Sequence, residues 1–279
     1  MNKLSLRGKL LDFFQEDLGF GDRTSEWIFS NERSKAVYLA KEDGIFSGEM
    51  ILQEGYKLLQ EDIEITLLKR DGDSLKAGDI IAEVTGPTVD ILSTERVLLN
   101  LMQRMSGIAT LTWKAAEQLR ESHTSVCDTR KTTPGLRMLE KHAVVCGGGK
   151  NHRLRLDDAI MIKDNHIAQC GSITAAVQRV KEKAGHMMKI EVEAESLEAV
   201  KEAVEAGADV IMFDNCSVEE AIEWRKAVPS SIITEVSGGI TLDTLSQYGK
   251  TGVDFISIGA LTHSAKALDI SLDILETGE

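Results

Sequence analysis

The sequence predicts an α/β protein in two parts: a small α+β domain, then a parallel α/β domain of barrel type. Three observations carry this reading. From Leu4 to about Leu92, short helical patterns mix with β-like stretches separated by Gly-containing turns. After Ser125, short apolar stretches alternate with amphipathic helical patterns, which implies parallel strands joined by right-handed crossovers. Each of those apolar stretches ends in a polar residue or a glycine that is costly to leave idle.

Taken in order, the first part offers strands at Ala36 to Lys41, Ile63 to Lys69 and Ile80 to Val84, with a turn at Asp71-Gly72-Asp73. This is the texture of a largely antiparallel sheet. Ser93 to Glu121 has apolar residues at three- and four-residue steps and reads as one long helix, or two given Gly107. The second part offers strands in SVCDTR, DAIMIKD, KIEVEAE, DVIMFDN, IITEVSGG and DFISIGAL, with helices such as Ser196 to Ala206 and Ser217 to Ala227 between them. The strand ends are Arg130 with Lys131, Lys163, Glu193, Asp214, Ser237 with Gly238 and Gly239, and Gly259, spaced 21 to 33 residues apart. In a barrel all such ends converge on one mouth, whereas an open sheet spreads them along an edge. Convergence favours a barrel. Six strands are fewer than eight, so the barrel is expected to be incomplete or open on one side.

Composition bounds the function. The chain has 279 residues, 42% hydrophobic and 28% charged, with a formal net charge of −13. That is globular composition with enough apolar content for a sizeable core. The acidic balance argues against bulk nucleic-acid binding, which needs basic surface. No apolar run is long enough to span a bilayer, and the N-terminus does not read as a signal peptide. Cys127, Cys146, Cys170 and Cys216 show no CxxC pairing or metal-finger spacing, so reduced thiols in a cytoplasmic protein are expected.

Basic residues concentrate where the chemistry is expected. Asp128 to His166 supplies Arg130, Lys131, Arg137, Lys141, His142, Lys150, His152, Arg153, Arg155, Lys163 and His166 in a chain that is acidic elsewhere. Isolated Arg and Lys are usually solvated. Here Arg130-Lys131 and Lys163 follow apolar strands, and Gly147-Gly148-Gly149 precedes the Lys150 to Arg155 cluster. This suggests a pocket for a multiply charged anion, with Arg forks suited to carboxylate or phosphate. Glu193 and Asp214 at the next two strand ends are hard oxygen donors that suit magnesium beside a phosphate-bearing substrate. Glu191, alternating on the same strand as Glu193 and Glu195, reads mostly as charge balance. Ser237-Gly238-Gly239 and Gly259-Ala260 follow the last two strands, where barrels commonly bind phosphate. His142 reads as packing in a helix, and His123, His186 and His263 as surface or structural residues.

These segments resemble the quinolinate phosphoribosyltransferase family. The resemblance runs from EDLGFGDRTS through ERVLLNLMQRMSGIAT to DTRKTTPGLRMLEKHAVVCGGGKNHR, then IKDNH, EVE, DN, SGG and GALTHS in order. Arg155 and His142 depart from the family's usual glycine and tyrosine, away from the expected contacts. A related barrel family encoded beside molybdate-transport components shares the DTRKT-type segment but generally lacks the NHR and KDNH patterns present here.

The resemblance implies an N-terminal α/β sandwich over residues 1–107 and an incompletely closed, seven-stranded α/β barrel over 108–264, with the tail 265–279 returning to the first domain. It implies a homodimer, sometimes assembled into hexamers, with each site completed by the partner. Quinolinate would be bound by Arg130, Lys131, His152 and Arg153, with Thr129 beside them and Arg96 arriving from the neighbouring subunit. Lys163 would lie between quinolinate and phosphoribosyl pyrophosphate. Glu193 and Asp214 would engage the ribose and magnesium, and Ser237, Gly238, Gly239, Gly259 and Ala260 the 5-phosphate. Lys131, Lys163, Glu193 and Asp214 would carry catalysis by orientation and charge. The rivals are an enzyme of the molybdate-associated family, a nicotinate-specific transferase that does not decarboxylate, a Schiff-base aldolase using Lys163, and a silent anion-binding protein.

Overall fold

The computed structural model describes residues 1–59 and 62–275. It divides into two compact units: Met1–Leu111 with Met138–Gly148 and Ala265–Glu279, and Thr112–Arg137 with Gly149–Ser264.

In the first unit, α1 (Lys3–Leu18) starts at Asn2, whose side chain accepts the Ser5 N–H, and buries Leu6, Leu10 and Phe14. Next come α2 (Arg23–Ile28), β1 (Arg33–Ala40), β2 (Gly44–Ile45), α3 (Glu49–Lys57), β3 (Glu64–Leu67), β4 (Ser74–Leu75) and β5 (Ile80–Pro87). The main sheet is antiparallel, in the order Ile270–Ile274, β1, β5, β3, so the last strand of the chain lies against one of the first. Its central residues Ala36, Tyr38, Ala82 and Val84 are fully buried.

The helical segment is one helix, α4 (Thr88–Gln118), and Gly107 does not break it. Its role is close approach: a Cβ there would sit 2.0 Å from the Lys266 carbonyl oxygen. Nearby, Gln103 accepts the Leu268 N–H at 2.9 Å and donates its side-chain amide to the Ile270 carbonyl at 2.7 Å. The bare glycine lets the returning chain lie on the helix backbone.

After α4 come β6 (Ser125–Cys127), in the second unit, and α5 (Arg137–Cys146), whose residues from Met138 group with the first. His142 of α5 places Nε2 2.7 Å from Asp71 Oδ2, while Asp71 Oδ1 accepts the Gly48 and Glu49 N–H groups at the start of α3. The carboxylate thus caps one helix and ties a second to it.

The second unit continues with β7 (Ile160–Ile162), α6 (Asp164–Cys170), α7 (Ile173–Lys181), β8 (Ile190–Ala194), α8 (Leu197–Ala206), β9 (Val210–Asp214), α9 (Val218–Lys226), β10 (Ile233–Ser237), α10 (Leu242–Tyr248), β11 (Phe255–Ser257) and α11 (Ala260–His263). Ser172, Ser196 and Ser217 cap α7, α8 and α9 with their hydroxyls, which is why each helix starts where it does. The sheet is parallel throughout, in the order β6, β11, β10, β9, β8, β7, and Val192, Ile211, Phe213, Val236 and Ile256 on its strands are fully buried.

Among the described residues, six strands form this sheet where the resemblance implied seven, and no ladder joins β6 to β7. Beyond β6 there is only a single parallel bridge, Cys127 to Lys150. The chain cannot continue it as a strand. Beyond Lys150, the Asn151 side chain and the His152 N–H are both bonded to the Asp128 carboxylate instead of to a neighbouring strand.

Candidate active site

Parallel registration brings the strand ends level. Ser237 pairs with Asp214, and Glu193 with Met212, so the residues ending β8, β9 and β10 share one rim. A cavity of about 390 Å³ opens there, lined by Thr129, Arg130, Lys131, His152, Arg153, Met161, Lys163, Glu193, Met212, Asp214, Ser237 and Ser257. Nine of the fourteen sequence-derived site residues therefore meet in one place: Thr129, Arg130, Lys131, His152, Arg153, Lys163, Glu193, Asp214 and Ser237.

Asp128, fully buried just past β6, organises the basic wall. Oδ2 accepts the Asn151 amide at 2.6 Å and Oδ1 the His152 N–H at 2.9 Å, fixing the loop that carries His152 and Arg153. Arg137 is spent structurally. Its guanidinium reaches the Thr132 hydroxyl and the Leu154 and Arg130 carbonyls, pinning the two basic loops together. Arg153 donates to the Ala159 carbonyl at 2.9 Å, yet its Nε is buried without a partner, and so is the Nε of Arg130. Burial, and then the neighbouring Arg130 charge, lower the Arg153 pKa from its ordinary value. Two buried donors without acceptors are expensive unless an anion completes them.

The opposite wall is acidic. Lys163 donates to Glu193 Oε1 in a close ion pair, and Glu193 is nevertheless raised above the ordinary carboxylate value, chiefly by burial. Asp214 accepts the Asn215 side-chain amide at 2.8 Å, and Asn215 itself takes a left-handed backbone with φ of 54°. The Lys131 N–H donates to Thr129 Oγ1 at 3.0 Å and its carbonyl accepts the Thr262 hydroxyl at 2.8 Å, so this lysine is aimed by backbone contacts. Its side chain runs over Gly259, where a Cβ would lie 2.9 Å from Lys131 Cδ.

Gly238, Gly239, Gly259 and Ala260 follow the ends of β10 and β11 but do not line the cavity, and Arg96 belongs to α4 in the other unit. Gly238 and Gly239 have φ of 96° and 64°. His152 lines the cavity, but Nδ1 accepts the Arg153 N–H at 2.7 Å, and Nε2 lies 3.1 Å from Glu191 and 3.7 Å from Glu235. His166 accepts the Lys163 N–H at 3.0 Å and lines a different, mostly apolar cleft of about 550 Å³ together with Arg179 and Lys183. Sequence reasoning missed Met161, Met212 and Ser257 in the lining and the anchoring role of Asp128. A polar residue immediately after an apolar strand is the signal that could have found Asp128.

Fold and cavity together define a mixed α/β protein with a charged strand-end cavity, cationic on one wall and acidic on the other. The comparisons narrow this. The model for the quinolinate phosphoribosyl transferase N-terminal domain matches residues 22–106, and that for the C-terminal domain matches 108–273. The chain belongs to the quinolinate phosphoribosyltransferase family. It is 54% identical over 279 residues to a probable nicotinate-nucleotide pyrophosphorylase [carboxylating] of Bacillus subtilis, covering 100% of this chain and 96% of that one. It is 41% identical to the protein of the same description from Methanothermobacter thermautotrophicus, covering 94% of this chain and 96% of that one. Among solved structures, NadC from Streptococcus pyogenes superposes with a TM-score of 0.94 at 39% identity, covering 99% of each chain.

Proposed function

We propose that this chain transfers the phosphoribosyl group of phosphoribosyl pyrophosphate to quinolinate, releasing pyrophosphate and carbon dioxide and forming nicotinate mononucleotide for NAD biosynthesis. The observation that carries this is the cavity itself: two buried guanidinium Nε atoms without partners on one wall, Glu193 and Asp214 on the other. A pyridine dicarboxylate matches the first wall in charge, and a ribose whose anomeric carbon becomes cationic matches the second. Family membership and the names carried by its relatives support the same reading.

The chemistry needs no protein nucleophile, because the pyridine nitrogen attacks the anomeric carbon. Arg130, Arg153 and Lys131 hold the carboxylates, with Thr129 and His152 completing that wall. Glu193 and Asp214 orient the ribose and offset the developing positive charge, while Lys163 stands between the substrates and Lys131 or Lys163 stabilises the departing anion. Ser237, with the backbone amides of Gly238, Gly239, Gly259 and Ala260, receives the 5-phosphate. The pyridinium nitrogen then draws electrons from the adjacent carbon and makes loss of its carboxylate feasible.

Glu193 and Asp214 offer hard carboxylate oxygens at one rim, a donor set that fits magnesium. Those two residues would hold it, directly or through water and substrate, and magnesium would supply charge neutralisation for the pyrophosphate. We take the working assembly to be a homodimer, able to build hexamers, in which Arg96 of each subunit completes the partner's pocket. The four cysteines are unbridged, which suits a reducing cytoplasmic setting, and no described helix is long and apolar enough to cross a membrane. The test is release of carbon dioxide from quinolinate, dependent on phosphoribosyl pyrophosphate and magnesium. Equal turnover of nicotinate, or no dependence on phosphoribosyl pyrophosphate, would sink the reading.

A further inference from the structure

Decarboxylation leaves a debt that the residues named above do not meet. When the carboxylate departs as carbon dioxide, its bonding electron pair stays on the ring carbon, and that carbon must take a proton. In the proposed complex the cations of the cavity are engaged with carboxylates and with the departing anion.

The structure holds a second polar system directly behind the cavity. Ser257, at the end of β11, lines the cavity and is 3% exposed. Its Oγ makes a close hydrogen bond with Glu235 Oε1 on β10, donated by the serine when Glu235 is ionised and by the carboxyl when it is protonated, and lies 2.9 Å from Cys127 Sγ. Glu235 is 4% exposed and sits in the middle of its strand, where a carboxylate has no ordinary structural reason to be. Burial, and then the charge of neighbouring Glu191, push it up to about 7, so the protonated form is well populated at neutrality. The thiol of Cys127 is held well above its ordinary value by its own burial, which leaves it a neutral neighbour.

Glu235 also faces the other way. It lines a second cavity of about 300 Å³ that shares His152 and Arg153 as a dividing wall with the first and extends to Lys189, Val210, Ile233 and Phe255, at or just before the beginnings of β8 to β11. Ser257 belongs to the first cavity and Glu235 to the second, and one hydrogen bond joins them. The ring of His152 does not provide this link, because its Nδ1 is filled by the Arg153 N–H and its Nε2 is directed at the carboxylates. That arrangement assigns the ring hydrogen to Nε2.

We propose that Ser257 and Glu235 form a proton path between the two cavities, with the Ser257 hydroxyl delivering the proton that replaces the departing carboxyl group. The bond from the ring carbon to the carboxyl carbon breaks, carbon dioxide leaves, and the electron pair takes the Ser257 hydroxyl hydrogen. The Glu235 carboxyl proton moves to the Ser257 oxygen in the same event. Glu235, left as a carboxylate, is reprotonated by water entering the second cavity. Ser257 is then the catalytic donor, and Glu235 acts through it. This rests on the function proposed above.

Single-turnover rapid-quench experiments separate the two stages, with quinolinate, phosphoribosyl pyrophosphate and magnesium as reactants. Pyrophosphate reports transfer, and nicotinate mononucleotide against its dicarboxylated precursor reports decarboxylation. In Ser257→Ala and Glu235→Gln, nucleotide formation should fall at least tenfold more than pyrophosphate release, with the precursor accumulating, in line with the usual yield of general acid catalysis. Glu235→Gln keeps the size and a hydrogen bond to Ser257 but carries no acidic proton. If one variant does not fold, the other reads the same split. If the two signals fall together, or neither falls, the path is wrong. A wild-type enzyme that releases no pyrophosphate with quinolinate would sink the underlying function and the path with it, a result distinct from both.

Discussion

Arg130 and Arg153 carry like charges into one cavity, and the Nε atom of each is buried without a hydrogen-bond partner. Such a pair is held in place by the fold against its own repulsion. Asp128 fixes the loop of Arg153, and Arg137 grips the carbonyl of Arg130. The proposed substrate, a dianion, would place its carboxylates against this pair.

Arg153→Ala should therefore weaken quinolinate binding far more than phosphoribosyl pyrophosphate binding. Loss of a charge-assisted hydrogen bond costs roughly 1.5–3 kcal/mol, or about 10- to 100-fold in affinity. Calorimetry with each ligand separately reads this directly, and equal weakening of the two would contradict the assignment.

Asp214→Asn should cut turnover strongly while nearly preserving quinolinate affinity, because the proposal assigns the carboxylate to the ribose and magnesium. The Asn215 amide that now donates to Asp214 can still bond the substituted side chain through its oxygen, so the fold should hold. Unchanged turnover at saturating magnesium would remove Asp214 from the mechanism.

Gly238→Ala should destabilise more than Gly239→Ala. A Cβ at Gly238, where φ is 96°, would lie 2.2 Å from Asn215 Oδ1 and 2.7 Å from the Asn215 backbone nitrogen. At Gly239, where φ is 64°, nothing lies within 4 Å, so only the left-handed backbone cost of about 1–2 kcal/mol applies. Thermal unfolding of the two variants side by side gives the comparison, and equal losses would mean the Asn215 contact does not matter.

Stability of the first unit should weaken on the alkaline side through His142. The Asp71 hydrogen bond raises its pKa from 6.5 to about 9. Because the folded value lies above the unfolded one, the imidazolium contribution is fully present below about pH 6.5 and fades as pH rises through about 9. Asp71 is shifted the other way, below its ordinary value, by His142 and the Glu49 and Gly48 amides against its burial, so its contribution is lost as pH falls. His142→Gln should flatten the alkaline part of a plot of Tm against pH between about 6.5 and 9.5. An identical slope in wild type and variant would deny the pair this role.

Arg96→Ala and Arg153→Ala should each be nearly inactive alone yet complement when mixed. With unbiased subunit exchange, about half the dimers are heterodimers holding one intact site of two, so activity should return to about a quarter of wild type. If exchange is verified and activity stays absent, Arg96 does not serve a partner's pocket.

The sequence makes legible those features in which chemistry interrupts a pattern. Lys163, Glu193, Asp214 and Ser237 stand at the ends of apolar runs, and a parallel sheet converts that position in sequence into one rim in space. Ser257 and Glu235 were hidden for the opposite reason. A small serine inside DFISIGAL reads as a strand residue that packs, and a lone glutamate inside IITEVS as an outward-facing one, because which face is buried depends on the neighbouring strands. Asp71 and His142 lie 71 residues apart, so a turn aspartate and a helix histidine carry no joint signal until the fold brings them within 2.7 Å. Gly107 left one helix or two open because a contact with Lys266 across the chain has no local signature.

The pairing of β1 with Ile270–Ile274 sets an order of assembly. During synthesis β1 gains β5 within about fifty residues, but its other flank must wait until the parallel unit has also been made. Until then a buried strand is an open edge, able to pair with another nascent chain. The unit that begins first is thus completed only after the second has been made, and the strand Ile270–Ile274 acts as its latch. Shortening the C-terminus past Ile270 should accordingly lower the soluble yield of newly made protein, even though none of the described residues removed lines the charged cavity.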